Sequence, residues 1–305
     1  MPDLIKPSAV EKGATFGVMS PGSYVERKRL DKASEIFEGL GYKLKVHPQT
    51  FSRNNQSAGT SEDKATALAE LFADDEVDAI LLAAGGNRSL HFLKDLDMSV
   101  ILHNPKAIVG YSDCTALLSA IFTHCGICTV HGPTLDWFAK ENLENCQDQY
   151  QAFDQMLGGH LTACPLYDGR SVKNARADGP MIGGNMSLVM RLLGTRHFPD
   201  LRGCLLYLED VNDELSWLDR DFWYLRETGY LEEISGLILG GFSLQDTGRK
   251  PFGFTLEDIL SEHLKGLDIP VVTKAPFGHE DVLYPLPFGT HGCLVGGPPV
   301  IHECY

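Results

Sequence analysis

In the first half of this chain, short apolar runs alternate with segments of helical periodicity. Residues 15–19, 42–46, 77–83, 107–109 and 128–130 read as strands, and residues 24–40, 61–72, 89–96 and 114–123 read as helices. Strands that alternate with helices predict a parallel sheet covered by helices on both faces. In such sheets ligands sit beyond the carboxyl ends of the strands. The turns after strands are therefore where chemistry is expected: residues 20–23, 85–89 and 110–113, all of which carry Gly and hydroxyl residues. Gly85-Gly86 lacks the spacing of a P-loop or a dinucleotide fingerprint, so no nucleotide cofactor is expected.

The turn at 110–113 is the most constrained. Ala107, Ile108 and Val109 form a short apolar run, Gly110-Tyr111-Ser112-Asp113 breaks it, and Ala116, Leu117, Ala120 and Ile121 then recur at helical spacing. Ser112 falls in a sharp strand-to-helix turn, the arrangement of a nucleophile elbow, which lifts a hydroxyl out of the sheet at a helix N-terminus. The residues two before and two after must be small, because the chain crowds itself there; Gly110 and Cys114 comply. A helix N-terminus also aims backbone N–H groups at a developing oxyanion. The same residues equally suit a plain helix cap by Ser112 or Asp113, and the local sequence leaves both readings open.

A chain of 305 residues can hold two domains with separate cores. A net charge of −15 argues against nucleic acid or an anionic membrane as partner, and an anionic substrate would need a local basic pocket. No apolar run approaches a membrane span, and the first residues lack a secretory pattern, so the expected location is the cytoplasm. Eight cysteines in such a setting are expected to be reduced. Cys125-Gly-Ile-Cys128 has redox-motif spacing, but it lies in an apolar setting with no second pair. No metal is expected, since the histidines and cysteines lack ligand spacing.

Beyond residue 135 the pattern is less regular, with one amphipathic helix at 149–157 and a polar stretch holding Asp168-Gly169-Arg170. This places a linker at 166–178, between an N-terminal domain at 1–165 and a C-terminal domain at 179–305. In the latter, residues 186–193, 215–228 and 256–264 read as helices, and 204–208, 234–239 and 270–272 as strands. Residues 285–301 are rich in Gly and Pro with short β runs.

Three polar residues follow three short apolar strands: Ser112, Glu209 and His279. A serine hydroxyl needs a base to accept its proton, and His is the usual one. A carboxylate then fixes the imidazole tautomer and stabilises its protonated form. Each residue also has a plainer reading: Glu209 as a carboxylate at a helix N-terminus, His279 as a loop histidine bonded to backbone. Arg88, after Gly85-Gly86, is a candidate for holding a substrate carboxylate, since Arg offers a bidentate fork. Pairing with a surface carboxylate, or capping the next helix, would explain it as well.

Several stretches in order resemble the LD-carboxypeptidase family of serine peptidases, whose relatives include microcin C immunity peptidases. They are Val18-Met-Ser-Pro-Gly-Ser23, Ala84-Gly-Gly86, Val109-Gly-Tyr-Ser-Asp113, His131-Gly-Pro133, Gly183-Gly-Asn185 with Leu193-Gly-Thr195, Leu208-Glu-Asp210, and Phe277-Gly-His279 with Leu286-Pro287. The resemblance implies an α/β fold: a flavodoxin-like parallel-sheet domain, then a smaller, β-rich α/β C-terminal domain. It makes Ser112 the nucleophile, Glu209 the orienting carboxylate and His279 the general base, and puts the oxyanion on the N–H groups of Gly86 and Asp113. It implies a homodimer without cofactor, acting on murein tetrapeptides in cell-wall recycling. Hydrolysis of peptidyl- or aminoacyl-nucleotide conjugates is the alternative, and a non-catalytic small-anion binding protein the alternative of another class. Two departures bear on substrate preference: Ala84-Gly-Gly-Asn-Arg88 replaces an Arg-Gly-Gly-Tyr-type turn, and Glu280-Asp281 follows His279.

Overall fold

The computed structural model describes residues 3–139, 147–160, 163–165, 170–171, 176–248, 250–279, 282–294 and 300–303. The chain divides into two units. One comprises Met1–Leu161, Arg191–Pro199 and Leu283–Gly289, the other Thr162–Met190, Asp200–Val282 and Thr290–Tyr305.

The first unit holds the strands β1 (Thr15–Met19), β2 (Lys43–Val46), β3 (Ala79–Leu82), β4 (Ala107–Gly110), β5 (Thr129–His131) and β12 (Leu286–Phe288), in the spatial order β12-β5-β4-β3-β1-β2. All pairings are parallel except β12 with β5. Every residue of β3 and β4 is buried, as a strand covered on both faces requires, whereas the edge strand β2 alternates. The helices are α1 (Arg27–Gly39), α2 (Ser61–Ala73), α3 (Met98–His103), α4 (Thr115–Cys125) and α5 (Gln147–Leu157). Phe16, Phe37, Tyr42, Phe138 and Phe153 form one aromatic cluster, with ring centroids 5.1–6.1 Å apart.

Local chemistry moves several boundaries. Tyr24 and Val25 donate their N–H groups to Gln56 and Thr50, so α1 begins only at Arg27. Helix α2 does begin at Ser61, behind a capping box of Thr60 with Asp63. Residues Ser89–Asp95 form a 3-10 helix instead of an α-helix. The six-residue α3, capped by Asp97 on the N–H groups of Ser99 and Val100, is too short to show a period.

Two later segments return to this unit, which a contiguous division at residues 166–178 does not anticipate. Leu286–Phe288 covers the open edge of β5. Phe288 packs against Phe122 and Phe198, at 5.4 and 6.4 Å between centroids. Ser119 Oγ donates to the His197 carbonyl at 2.5 Å.

The second unit contains β6 (Ala163–Pro165), β7 (Arg170–Ser171), β8 (Ala177–Asn185), β9 (Leu205–Glu214), β10 (Gly236–Gln245), β11 (Val271–Thr273), β13 (His291–Leu294) and β14 (Val300–Glu303). Their order is β6-β14-β13-β8-β9-β10-β11-β7, with a parallel centre from β8 to β11 and antiparallel flanks. Its helices are α6 (Met186–Leu192), α7 (Leu215–Glu227), α8 (Tyr230–Glu233) and α9 (Leu256–His263). Strands β9 and β10 run well past their apolar runs; the ladder continues through register shifts between Leu239 and Phe242 and between Ser243 and Leu244. Much of the expected linker, residues 166–169 and 172–175, lies outside the described residues, while Arg170–Ser171 forms β7 and Ala177–Asp178 opens β8. Among the described residues no helix is long and apolar enough to cross a membrane.

Candidate active site

In the first unit, β4 passes through a single 3-10 turn, Ser112–Cys114, into α4. Ser112 has φ 63°, in the left-handed region that costs a residue with a side chain about 1–2 kcal/mol. Such strain is held in place only where the surroundings over-determine it. Here they do: a Cβ at Gly110 would lie 2.8 Å from Leu82 Cδ1 and 2.9 Å from Cys114 Cβ. The crowding two residues either side of the serine is therefore real. The capping alternative does not describe this turn. The N-cap positions are Tyr111 and Cys114, without side-chain cap bonds, and the Asp113 carboxylate accepts instead from the Ser89 N–H at 2.9 Å.

The turn after β3 lies against this elbow. A Cβ on Gly86, at φ 94°, would collide with the Ser23 side chain. Ser23 in turn donates its N–H to the Gly85 carbonyl at 3.0 Å, and its hydroxyl accepts from Asn87 N–H at 3.2 Å. The turns after β1, β3 and β4 thus interlock. Ser89 Oγ closes the set by donating to the Asp113 carbonyl at 2.5 Å. Asp113 is buried, which pushes its carboxyl up, while the Ser89 bonds pull it down. Arg88 is exposed beside this turn with φ 85°; it occupies the N-cap position of the 3-10 helix without a side-chain cap bond.

In the second unit, Glu209 lies within β9, in register with Asn185 of β8. Its carboxylate is fully buried, and Oε2 meets Nδ1 of His279 at 2.7 Å. The approach depends on Gly278, at φ 111°, whose Cβ would fall 2.8 Å from that same oxygen. Burial raises the Glu209 carboxyl above its ordinary range, and the His279 bond opposes the rise. The helix-terminal role belongs to the next residue. Asp210 accepts from Ser187 N–H at 2.8 Å, at the start of α6, and from Asn185 Nδ2 at 2.9 Å. With Glu209 ionised, the imidazole carries its proton on Nδ1 and offers a lone pair at Nε2.

Sequence reasoning missed Lys64, which is buried in α2 with Nζ 3.0 Å from the Gly22 carbonyl. Its signal was a cation on the apolar stripe Lys64, Ala67, Leu68, Leu71. Cys125 and Cys128 are buried, and neither is in a disulfide. Among the described residues no three or more His, Cys, Asp or Glu side chains are grouped to hold a metal ion.

Residues 16–132 match the LD-carboxypeptidase N-terminal domain, and residues 178–294 match the LD-carboxypeptidase C-terminal domain. A probable murein peptide carboxypeptidase of Bacillus subtilis is 30% identical over 295 residues, covering 95% of this chain and 91% of that protein. The microcin C7 self-immunity protein MccF of Escherichia coli is 28% identical, covering 94% and 92%. The crystal structure of a muramoyltetrapeptide carboxypeptidase from Oxalobacter formigenes superposes with a TM-score of 0.82 at 26% identity, over 96% of this chain and 99% of that one. The two halves of the chain match the two domains of one family: it is an enzyme of the LD-carboxypeptidase family of peptidases.

Proposed function

We propose that this chain is a serine carboxypeptidase that removes the terminal D-alanine from murein tetrapeptides, through Ser112, Glu209 and His279. The observation that carries the reading is the buried Glu209 carboxylate bonded at 2.7 Å to His279 Nδ1, which prepares Nε2 as a base. The strained Ser112 elbow supplies the nucleophile. The name of the Bacillus subtilis relative supports the substrate class.

In this mechanism Nε2 of His279 takes the Ser112 Oγ proton as Oγ bonds to the last peptide carbonyl. The oxyanion is held by the N–H groups of Gly86 and Asp113. Collapse breaks the C–N bond, and the imidazolium protonates the departing D-alanine amine. Water, deprotonated by the same imidazole, then hydrolyses the acyl-enzyme. Arg88 binds the free terminal carboxylate, the charge an exopeptidase must recognise. The enzyme works without a cofactor and in the cytoplasm, and as a homodimer, the last as the family resemblance implies.

The test is to incubate the protein with peptides ending in L-D and L-L linkages and with aminoacyl-sulfamoyl adenylates, and to identify products by mass. Release of D-alanine from the L-D peptide alone is expected. Cleavage of the adenylates alone would assign a microcin-immunity chemistry instead. No product, together with no fluorophosphonate adduct on Ser112, would leave a small-anion binder.

A further inference from the structure

Helix α2 buries a lysine where an aliphatic side chain would cost less. Lys64 is 2% exposed, on the stripe it shares with Ala67, Leu68 and Leu71. Removing an ammonium from water is expensive, and replacing a buried charge by a well-packed apolar residue is often neutral or stabilising. Lys64 Nζ donates to the Gly22 carbonyl at 3.0 Å, and the Phe92 ring centroid lies 5.8 Å away. The charged groups that face it are Asp113, on the elbow, and Arg88, on the turn after β3.

Gly22 is the wedge between the two turns to which the oxyanion donors are assigned. A Cβ there would collide with the Gly85 carbonyl and lie 2.8 Å from Asp113 Oδ2. The next residue, Ser23, holds the Gly85 carbonyl through its N–H. Among the described residues, the Gly22 carbonyl accepts from the Ala58 N–H at 3.1 Å and from Lys64.

We propose that Lys64 is a positioning residue: its buried ammonium pins Gly22 and faces Asp113, locking the turns of Gly86 and Asp113 where their N–H groups meet the oxyanion. This rests on the serine mechanism proposed above. The geometry makes the effect specific to the transition state, so turnover should depend on Lys64 and substrate affinity should not. Desolvation lowers the ammonium to about 8 from the ordinary lysine value. The clamp should therefore weaken as pH rises through that region.

The experiment compares the full chain with its Lys64→Met and Lys64→Arg variants. It reads peptide hydrolysis and fluorophosphonate labelling of Ser112 from pH 6 to 10, together with thermal unfolding. Lys64→Met should turn over roughly tenfold or more slowly at pH 7 with KM nearly unchanged. It should unfold no lower than the wild type and lack the wild-type alkaline limb. Lys64→Arg, whose charge does not titrate in this range, should move that limb upward. A folded Lys64→Met protein with wild-type turnover and the same limb overturns the proposal, as does one that only unfolds earlier. If neither variant folds, biosynthetic labelling with carbon-13 lysine and a titration by NMR decide on the wild type. A Lys64 midpoint matching the alkaline limb of labelling supports the clamp, and a mismatch, or no limb, overturns it. A wild-type Ser112 that never labels fails the serine reading itself, and the clamp with it.

Discussion

A Cβ on Gly85 would stand 2.9 Å from the Cβ of Ser112 and 3.1 Å from its hydroxyl. The turn after β3 and the Ser112 turn therefore pack together with no room for a side chain at Gly85. Gly85→Ala should leave the fold largely intact but push the serine off its position, with labelling of Ser112 by a fluorophosphonate falling at least about a hundredfold, since small misplacements are costly at a reacting centre. Labelling at the wild-type rate would show that the turn is free to move aside.

Ser112→Ala should abolish hydrolysis, with a loss on the order of 10⁴ to 10⁶ in kcat. Retention of a tenth of the activity would remove Ser112 from the mechanism. The positive φ adds a second outcome. Ser112→Gly relieves the left-handed strain that alanine keeps, so it should be about 1 kcal/mol more stable than Ser112→Ala in denaturant unfolding. Equal stabilities would mean that the strain is relaxed in solution.

Glu209→Gln keeps the shape of the buried side chain and removes its charge. Its amide can no longer specify the Nδ1–H tautomer of His279, so kcat should fall on the order of 10⁴. Because burial holds the Glu209 carboxyl above its ordinary range, the fold favours the neutral acid. That contribution is full at acidic pH and is lost as pH rises through the raised value. The variant should therefore unfold at an equal or higher temperature than the wild type at pH 7, and the gap should close below the ordinary carboxylate range. Calorimetry at two pH values checks this; a gap that widens in acid contradicts it.

Arg88→Ala should lower kcat/KM by about 2–4 kcal/mol equivalent for free-acid peptides. The loss should be far smaller for the same peptide with an amidated terminus, itself a poor substrate. Equal losses on both would make Arg88, at φ 85°, a support of the turn.

Lys64 also leaves a signature in stability. Its folded value of about 8 lies below that of an unfolded lysine, so between those values the unfolded chain binds the extra proton. Stability from this group is lowest below pH 8 and rises through that window by about 3 kcal/mol. Lys64→Met should flatten that part of the pH–stability curve, as urea unfolding across pH 7–10 would show.

The parts of the site that were legible in the sequence are those written in neighbouring residues. An apolar run, a Gly, a Ser and a small residue two positions on define an elbow without knowledge of anything distant. Glu209 and His279 could be recognised as polar residues that follow apolar runs. Their contact could not, because it spans 70 residues and depends on Gly278 leaving room for the carboxylate. Lys64 was hidden because a lysine in an amphipathic helix reads as the solvent edge of the stripe. Strands β9 and β10 were read too short for a related reason: Glu209, Asp210 and Asp213 end the apolar signal, while the backbone ladder does not depend on side-chain polarity. Leu286–Phe288 is three residues long with Pro287 at its centre, a composition that only an edge position tolerates.

That short strand has a consequence for biogenesis. The ribosome must pass Phe288 before the partner of β5 exists, so the nascent first sheet waits, with one border unpaired, while most of the second unit is synthesised. A stop codon in the preceding loop would spare most of the second unit, yet leave the first sheet with an adhesive margin. Such a product is a substrate for chaperones and proteases, not a smaller enzyme.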